Sequence, residues 1–559
     1  MTSPPTSPLS STTIHTKQGD LQGVTSEFDP NVTVFKGIRF AASTAGENRW
    51  RAPQPPATWE GVKICDTFGP ECPQKAFGPM VIGANHSEDC LSLNVWSPAK
   101  SVDEALPVFV WIYGGRFIAG SGSQLAYEGT GLAKKGVVVV TLNYRVGILG
   151  FLATPELDEE SGVGASGNYG ILDQVAALQW VQQNIAAFGG DPTKVTISGQ
   201  SAGGASCGIH VYSPVSKGLF RAAIPQAGMR DPHDPLLSGL APAYRSKEKA
   251  LRQGLETLAD KGAANIAEAR QMEIAHLISD NNKNDDCWGN PPFWRPCIDG
   301  YVLPDTYANI LAKGLHNDVP VMTGHNADEG GTYADTAFTV SDLQACALQK
   351  YGDELGKRFI ELYPAEKDSE ALLAWNTQAR NNSRVTVAMW AELYAKHAQS
   401  PVFGYFYNHA PPVPPGGPDA KPIKQGEKKK EESDTTRPRL RIYEKDVPRS
   451  TYTYSKMGTG GRFGAFHGAE IPYALNNLYA YPEYEWQDDD RAVADQMSTY
   501  WSNFVKYMDP NGPQGGAEFV KTGSGKIMQL GDGNYGIPLA ESPEREAFCR
   551  EFLLTQKEW

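Results

Sequence analysis

The sequence predicts an α/β fold built on a large, mostly parallel, doubly wound central sheet that is flanked by helices. Three observations lead to this class: strand-like runs that are apolar on both faces, helical patterns between them, and glycines where the runs end. Strands that are apolar on both faces belong in a sheet covered by helices. Strands that alternate with helices form parallel sheets.

Four segments carry the strand pattern, at 106–115, 137–145, 194–199 and 319–324. A helix is predicted between the second and third segments, because apolar residues recur there at helical spacing: Leu172, Val175, Leu178, Val181 and Ile185. This helix is expected to stop at Gly189 and Gly190.

The composition excludes several classes of protein. The chain has 559 residues, 40% of them hydrophobic, and a net charge of −13. Without a basic stripe we expect no nucleic-acid partner, and without an apolar run of about 18 residues we expect no membrane-spanning helix.

The start of the chain lacks the apolar core of a signal peptide. As written the protein is expected in the cytoplasm, and it would be secreted if a leader had been removed.

Two segments are expected to lie outside the packed core. Residues 1–18 are rich in Ser, Thr and Pro and are predicted to be a disordered lead. Residues 411–449 are Pro-rich and then highly charged, which predicts an insertion.

The eight cysteines do not have the spacing of a zinc site. Cys72 with Cys90, and Cys287 with Cys297, would close short loops if they formed disulfides. Disulfides imply an oxidising compartment, which conflicts with the missing signal peptide. Cys207 lies in an apolar helical stretch and is expected to be a buried thiol.

The segment "TISGQSAGG" (196–204) places Ser201 between a strand and a helical stretch, with glycines two residues before and two after it. This is the setting of a nucleophile elbow, a sharp turn that exposes a serine hydroxyl above a sheet. The small residues let strand and helix pack closely around it. An ordinary Gly/Ser turn is the alternative interpretation.

A serine nucleophile needs a histidine base and a carboxylate that orients the base, in the chain order Ser, acid, His for this architecture. Glu329 lies in a glycine-rich loop beyond a predicted strand, and the adjacent Asp328 is the alternative acid. His467 lies in a second glycine-rich loop and is preferred over His397 and His409 as the base. Backbone N–H groups of Gly115, Arg116 and Ala202 could form an oxyanion hole.

Several motifs together resemble the type-B carboxylesterase and lipase family, the cholinesterase-like branch of the α/β-hydrolases. They are "FKGIRFA", "SEDCLSLNVW", "WIYGGRF", "NYRVGILGFL", "GNYGILDQVAALQWVQQNIAAFGGDP", "TISGQSAGG", "IDG", "DEGGTY" and "HGAEIPY". The resemblance implies one α/β-hydrolase domain over 19–559. It implies a catalytic triad of Ser201, Glu329 and His467 and an oxyanion hole at Gly115, Arg116 and Ala202. It also pairs Cys72 with Cys90.

The departures from the family pattern narrow the expected substrate. Arg116 stands where the family usually has Gly or Ala, so we hypothesise that it binds a polar or carboxylate-bearing acyl group; a purely structural pairing is the alternative. Gln200 replaces the glutamate of cholinesterases, and the first cysteine loop has no tryptophan, which makes choline esters poor candidates. The family's "QSG" segment reads Gln226-Ala227-Gly228, so a serine that supports the acid is missing.

The sequence therefore predicts a serine carboxylesterase for a small-molecule ester, with no metal or cofactor. Phe293 and Trp294 are candidates for the acyl pocket or for the core, and Gln200 is a further candidate substrate contact. A natural-product ester is one possible substrate. A non-catalytic cholinesterase-like binding protein and an acyltransferase with the same triad are the alternatives.

Overall fold

The computed structural model describes residues 9, 12–76, 83, 85–239, 242–287, 290–330, 338–412, 464–482, 484–513 and 518–559. An 11-stranded mixed sheet runs through these residues, with a separate 3-stranded sheet beside it. The strands are β1 (Ile14–His15), β2 (Asp20–Gln22), β3 (Val24–Thr25), β4 (Thr33–Arg39), β5 (Val62–Ile64), β6 (Ser92–Ser97), β7 (Leu106–Ile112), β8 (Val138–Leu142), β9 (Gly190–Gln200), β10 (Ala222–Gln226), β11 (Val321–Asn326), β12 (Val402–Tyr407), β13 (Lys526–Leu530) and β14 (Tyr535–Pro538).

The helices lie mainly between these strands along the chain. They are α1 (Thr130–Ala133), α2 (Gly147–Phe151), α3 (Pro155–Glu160), α4 (Tyr169–Asn184), α5 (Ala202–Tyr212), α6 (Lys247–Asp260), α7 (Ile266–Arg270), α8 (Ile274–Leu277), α9 (Tyr307–Ala312), α10 (Val340–Leu362), α11 (Asp368–Tyr394), α12 (Ile471–Ala474), α13 (Asp488–Tyr507) and α14 (Pro543–Leu554).

The predicted strands and helix are confirmed. The four strand-like segments form β7, β8, β9 and β11, and every residue of β8 and β11 is buried. The predicted helix is α4, and a 3₁₀ turn extends it to Phe188 before Gly189 takes a left-handed conformation with φ 77°. Burial on both faces is why these strands are continuously apolar.

The strand order of the large sheet is β14-β13-β12-β11-β10-β9-β7-β8-β6-β4-β3. All neighbours from β8 to β13 are parallel, whereas the pairs at both ends are antiparallel. The carboxyl ends of the parallel strands therefore meet along one edge, which is where α/β sheets bind ligands. Ser201 follows β9 and the loop of Glu329 follows β11, so both lie at this edge.

The structure covers part of one of the two segments that were predicted to lie outside the core, and almost none of the other. Within residues 1–18, Ile14 is buried and pairs with Leu21, so this part of the predicted lead is an ordered strand. The predicted insertion at 411–449 lies outside the described residues except for 411 and 412. In the part of the chain that the structure covers, no helix combines the length and apolar character needed to span a membrane.

A buried ion pair joins the end of β8 to α4. The guanidinium of Arg145 donates from Nε and Nη2 to the two carboxylate oxygens of Asp173, at 2.8 and 2.7 Å, and the Arg145 backbone N–H also donates to Asp173. Both side chains are at most 2% exposed. Although burial alone lowers the pKa of Arg145, the charge of Asp173 raises it above its usual value, so the guanidinium stays charged.

We expect Asp173→Asn to lower the free energy of unfolding by about 3–5 kcal/mol, because it leaves the Arg145 charge buried and uncompensated. Urea denaturation followed by circular dichroism measures this loss. Glu256→Gln is the control, since Glu256 pairs with Arg252 at the surface and both side chains are 63% exposed. Its effect should stay below about 1 kcal/mol. Equal effects of the two variants would contradict the prediction.

Candidate active site

Ser201 occupies a strained turn between β9 and α5. Its backbone has φ 60° and ψ −121°, a region that residues with a side chain rarely adopt. Its N–H donates to the carbonyl of Gln226 at the end of β10 (3.1 Å), and its carbonyl accepts from Ala205 in the first turn of α5 (2.8 Å). The geometry has the form of the predicted nucleophile elbow, with Ser201 only partly buried at the carboxyl edge of the sheet.

The glycines around Ser201 are required by close backbone contacts. A Cβ atom at Gly203 would lie 1.9 Å from the carbonyl oxygen of Ile112, and one at Gly199 would lie 2.4 Å from the same atom. One at Gly204 would lie 2.3 Å from the carbonyl oxygen of Gln226. The turn therefore fits only if strands β7, β9 and β10 approach α5 without intervening side chains.

The loop after β7 lies directly against the elbow. A Cβ atom at Gly114 would lie 2.5 Å from the Gln200 carbonyl oxygen and 3.1 Å from Ser201 Cβ. Gly115, Arg116 and Phe117 follow with φ of 114°, 58° and 62°, which turns the loop sharply beside the serine. Two of the predicted oxyanion-hole residues thus follow Gly114, and the third, Ala202, is the first residue of α5.

Glu329 and His467 form a short hydrogen bond. His467 Nδ1 donates to Glu329 Oε2 at 2.6 Å. The carboxylate is 4% exposed whereas the imidazole is 44% exposed, so the ring can meet a ligand while the acid cannot. Burial alone raises the pKa of Glu329, but hydrogen bonds from His325 and His467 hold it well below its usual range.

The imidazole of His467 is made more basic by this partner. Burial alone lowers the pKa of His467, but the hydrogen bond and negative charge of Glu329 outweigh it and raise that pKa above its usual value. Gln200, the residue before Ser201, places its amide Nε2 at 3.3 Å from Nδ1 and 3.2 Å from Nε2 of His467. Gln200 therefore joins the elbow to the imidazole.

The alternative residues are occupied elsewhere. Asp328 accepts from Arg380 Nη2 and, at 2.8 Å, from the backbone N–H of Ala465. His409 lies between Asp490 (2.8 Å) and Asp532 (2.6 Å). His397 follows α11 and packs beside Gly314. None of these side chains has a described contact with Glu329 or His467, so the structure favours Glu329 and His467 over them.

Three side chains near the pair were not predicted to belong to the site. His325 Nδ1 lies 2.8 Å from Glu329 Oε1. Asn326 donates its backbone N–H to Glu329 Oε1 (3.0 Å) and its amide to the carboxylate of Glu470. Burial and the charge of Glu329 raise the pKa of Glu470 to about 7. In the sequence, these residues are indicated only by their closeness to the candidate acid and base. His325 lies four residues before Glu329, and Glu470 lies three residues after His467.

Arg116 extends from the loop beside the elbow towards residues 284–290. Its Nη2 donates to Asn284 Oδ1 at 3.0 Å and to the Asn290 carbonyl at 3.2 Å. Burial, followed by the nearby positive charge of Arg295, lowers the pKa of Arg116 to about 10. The guanidinium is therefore charged at neutral pH but poorly solvated.

The two candidate aromatic residues are buried. Trp294 is 0% exposed and lies under the guanidinium of Arg245, and Phe293 is 7% exposed and meets the Trp294 ring edge-on at 5.0 Å. This packing places Trp294 in the core. A contact of either side chain with substrate stays a prediction.

The predicted disulfides are not formed in the structure, where Cys72, Cys90, Cys287 and Cys297 are all thiols. Cys72 and Cys90 are both buried, and the neighbouring Cys72 thiol together with burial raises the pKa of Cys90 well above its usual value. Cys297 is buried with its Sγ at 3.5 Å from the Ser166 carbonyl, whereas Cys287 is partly exposed. Cys207 is a buried thiol, as predicted.

Replacing Gly203 by alanine should disrupt the elbow. Its Cβ would overlap the Ile112 carbonyl, and because that atom belongs to a central strand it cannot move aside. We expect a loss of about 1–3 kcal/mol in the free energy of unfolding, together with a loss of ester hydrolysis by the folded fraction. Gly208→Ala on the same helix is the control, since its Cβ would come closest to the flexible side chain of Met229, at 3.1 Å, with the nearest backbone atom 4.0 Å away. A Gly203→Ala enzyme with normal activity would contradict the prediction.

Comparisons with known proteins agree with this geometry. The carboxylesterase family model matches residues 10–537. Fumonisin B1 esterase of Sphingopyxis macrogoltabida is 39% identical over 386 residues, which cover 68% of this chain and 68% of that protein. Para-nitrobenzyl esterase of Bacillus subtilis is 33% identical over 518 residues, which cover 89% of this chain and 90% of that protein.

Solved structures show the same fold. A para-nitrobenzyl esterase aligns with a TM-score of 0.70 and 26% identity, over 96% of this chain and 99% of that chain. A carboxylesterase of Geobacillus stearothermophilus aligns with a TM-score of 0.70 and 27% identity over the same shares. The fold is therefore the α/β-hydrolase fold that the sequence motifs implied, and the chain belongs to the carboxylesterase family.

Proposed function

We propose that this carboxylic-ester hydrolase works through an acyl-enzyme formed on Ser201, with His467 as the base and Glu329 as the residue that orients it. The observation that carries the proposal is the 2.6 Å hydrogen bond from His467 to a buried Glu329, with the imidazole 3.2 Å from the amide of Gln200, the residue before Ser201 in its strained elbow. A serine hydroxyl is a weak nucleophile until a neighbouring base takes its proton.

Acylation begins when Ser201 Oγ attacks the ester carbonyl and His467 Nε2 takes the hydroxyl proton. The imidazolium that forms then gives this proton to the leaving alcohol. Glu329 fixes the tautomer of His467, because it accepts the Nδ1 proton, so that Nε2, which lies 3.2 Å from the Gln200 amide nitrogen, carries the lone pair that acts as the base. It also stabilises the imidazolium by its charge, which the raised pKa of His467 reflects.

The negative charge of the tetrahedral intermediate develops on the former carbonyl oxygen. Backbone N–H groups of Gly115, Arg116 and Ala202 are the proposed donors to that oxygen, supported by their positions on the two sides of Ser201. Ala202 also lies at the positive end of the α5 dipole. Water, activated by the same His467, then hydrolyses the acyl-enzyme and restores Ser201.

We expect Ser201→Ala to lower kcat by about 10⁴-fold or more, and Glu329→Gln by about 10⁴-fold through loss of the correct tautomer. The measurement is hydrolysis of a panel of short and long neutral esters by purified enzyme. Asp328→Asn is the matched control for the acid, because Asp328 is adjacent and contacts only the loop and Arg380. Its loss should stay below about 10-fold. Activity that survives in Ser201→Ala would contradict the proposal.

We further propose that the acyl group of the substrate is polar or carries a carboxylate, within an ester of natural-product type. Arg116 supports this, because its guanidinium is charged, poorly solvated and carried by the loop that lies against Ser201. A carboxylate would gain charge-assisted hydrogen bonds from this group. The relative that is a fumonisin B1 esterase supports a specialised rather than a general substrate.

Arg116→Gln should lower kcat/KM about 10–100-fold for an ester whose acyl group bears a carboxylate, because it removes hydrogen bonds worth about 1.5–3 kcal/mol to a charged group. The neutral amide analogue of the same ester should change less than about threefold. Arg252→Gln, at an exposed site, tests for an effect of net charge alone. Equal losses on the charged and neutral esters would assign Arg116 a structural role instead.

A further inference from the structure

The carboxylate of Glu329 has a second buried partner besides His467. His325, the last residue but one of β11, is 1% exposed and places Nδ1 at 2.8 Å from Glu329 Oε1. Its other ring nitrogen, Nε2, lies 3.1 Å from the carbonyl oxygen of Met229. His325 Nδ1 also lies 3.3 Å from Arg230 Nη2, and His467 uses the opposite oxygen of the same carboxylate.

The proton on His325 can be placed by hydrogen-bond accounting. An ionised carboxylate and a carbonyl oxygen both only accept, so the 2.8 Å contact with Glu329 requires a proton on Nδ1, and the 3.1 Å contact with Met229 is a hydrogen bond only when Nε2 is protonated as well. Burial, then the nearby charge of Arg230, lowers the pKa of His325, whereas the hydrogen bonds to Glu329 and Met229 act in the opposite direction. Arg230 itself is neutralised by Asp234 at 2.9 Å.

Glu329 thus receives three N–H groups in a buried setting. Two reach Oε1, from the His325 ring and from the Asn326 backbone, and one reaches Oε2, from His467. Two donors on one oxygen fix the plane of a carboxylate, so Oε2 is held towards His467. The other charged groups facing this cluster are Arg230, Asp234 and the carboxyl of Glu470.

We propose that His325 is a positioning residue for ester hydrolysis, which holds Glu329 ionised and aimed at His467 through the Nδ1–Oε1 hydrogen bond. This inference rests on the proposed function, because it assigns His325 a role only through Glu329. His325 does not touch the substrate. An apolar side chain of similar size would fill the same space but would leave Oε1 with the Asn326 backbone donor alone.

The test compares His325→Leu, which removes the donor, with His325→Asn, whose side-chain amide can reach the place of Nδ1. We expect the leucine variant to lose about 10–100-fold in kcat with KM within threefold of the wild type, and the asparagine variant to recover most of that loss. His325→Val serves the same purpose as leucine if leucine gives no folded enzyme. Rates are expressed per active site, counted by titration with a covalent serine inhibitor.

The acid limb, which is the low-pH side of the pH profile of kcat/KM, gives a second test that a change in packing alone would not shift. Activity is lost as the pH falls through the pKa of His467, because the base must be neutral. Removing the His325 donor makes the Glu329 carboxylate more basic, which raises the pKa of both Glu329 and His467. The acid limb of His325→Leu should therefore move up by about one pH unit, and that of His325→Asn should stay near the wild type.

His316→Leu is the matched control, since His316 is also buried (9% exposed) but lies before the opposite end of β11, against Tyr394. It should leave kcat and the acid limb unchanged. A leucine variant at 325 with wild-type kcat and acid limb would overturn the inference. An equal loss of kcat in His316→Leu would also overturn it. So would a folded His325→Asn enzyme whose kcat stays as low as that of His325→Leu.

A double-mutant cycle with Glu329→Gln separates this inference from the proposed function. If His325 acts through Glu329, adding His325→Leu to Glu329→Gln should cost less than about threefold beyond the single variant. A full additive loss would overturn the positioning role. If Glu329→Gln alone kept normal activity, the proposed triad would fail instead, whatever His325→Leu did.

Discussion

The backbone turn at Ser201 is the constraint on which the rest of the site depends. A residue with φ 60° and ψ −121° costs on the order of 1–3 kcal/mol, so its surroundings must hold it. They do so through the central sheet: Gln226 of β10 accepts its N–H, while Ile112 of β7 leaves room only for glycines at 199 and 203. The parallel pairing of three strands therefore fixes where the hydroxyl emerges.

The same sheet edge carries the acid, and a set of loop contacts brings the histidine to it. Asp328 and Ala465 exchange two hydrogen bonds, at 3.0 and 2.8 Å, and the Asn326 amide donates to the Phe466 carbonyl at 2.8 Å. The residues that flank Glu329 thus hold the residues just before His467. The two adjacent acids therefore have different roles. Asp328 fixes the loop that precedes the histidine, and Glu329 faces the imidazole.

The sequence was sufficient for the fold class and the strands, since these follow from continuous apolar runs. Its motifs were also enough to name a candidate triad, with the choice of Glu329 over Asp328 resting on the family resemblance. It was insufficient where distant segments meet. In the sequence His325 has the character of an ordinary strand residue. Only the folded structure shows that it lies between Met229 and Glu329. The short spacing of Cys287 and Cys297 suggests a disulfide, but both are thiols in the structure, with Cys297 Sγ 3.5 Å from the Ser166 carbonyl. Ala227 lacks a supporting hydroxyl, and only the structure identifies the ring that contacts Glu329 instead.

Two buried carboxyl groups lie near His467, and their surroundings separate their protonation states. Glu329 receives three N–H donors and keeps its pKa well below the usual range, whereas burial and the charge of Glu329 raise the pKa of Glu470 to about 7. Neighbouring acids whose pKa values are moved in opposite directions have different roles in a site. At neutral pH Glu329 is then ionised, whereas Glu470, with a pKa of about 7, is only partly so. Stabilisation of the imidazolium consequently depends on how firmly that one carboxylate is held, which is the step at which His325, Asn326 and the central sheet act together.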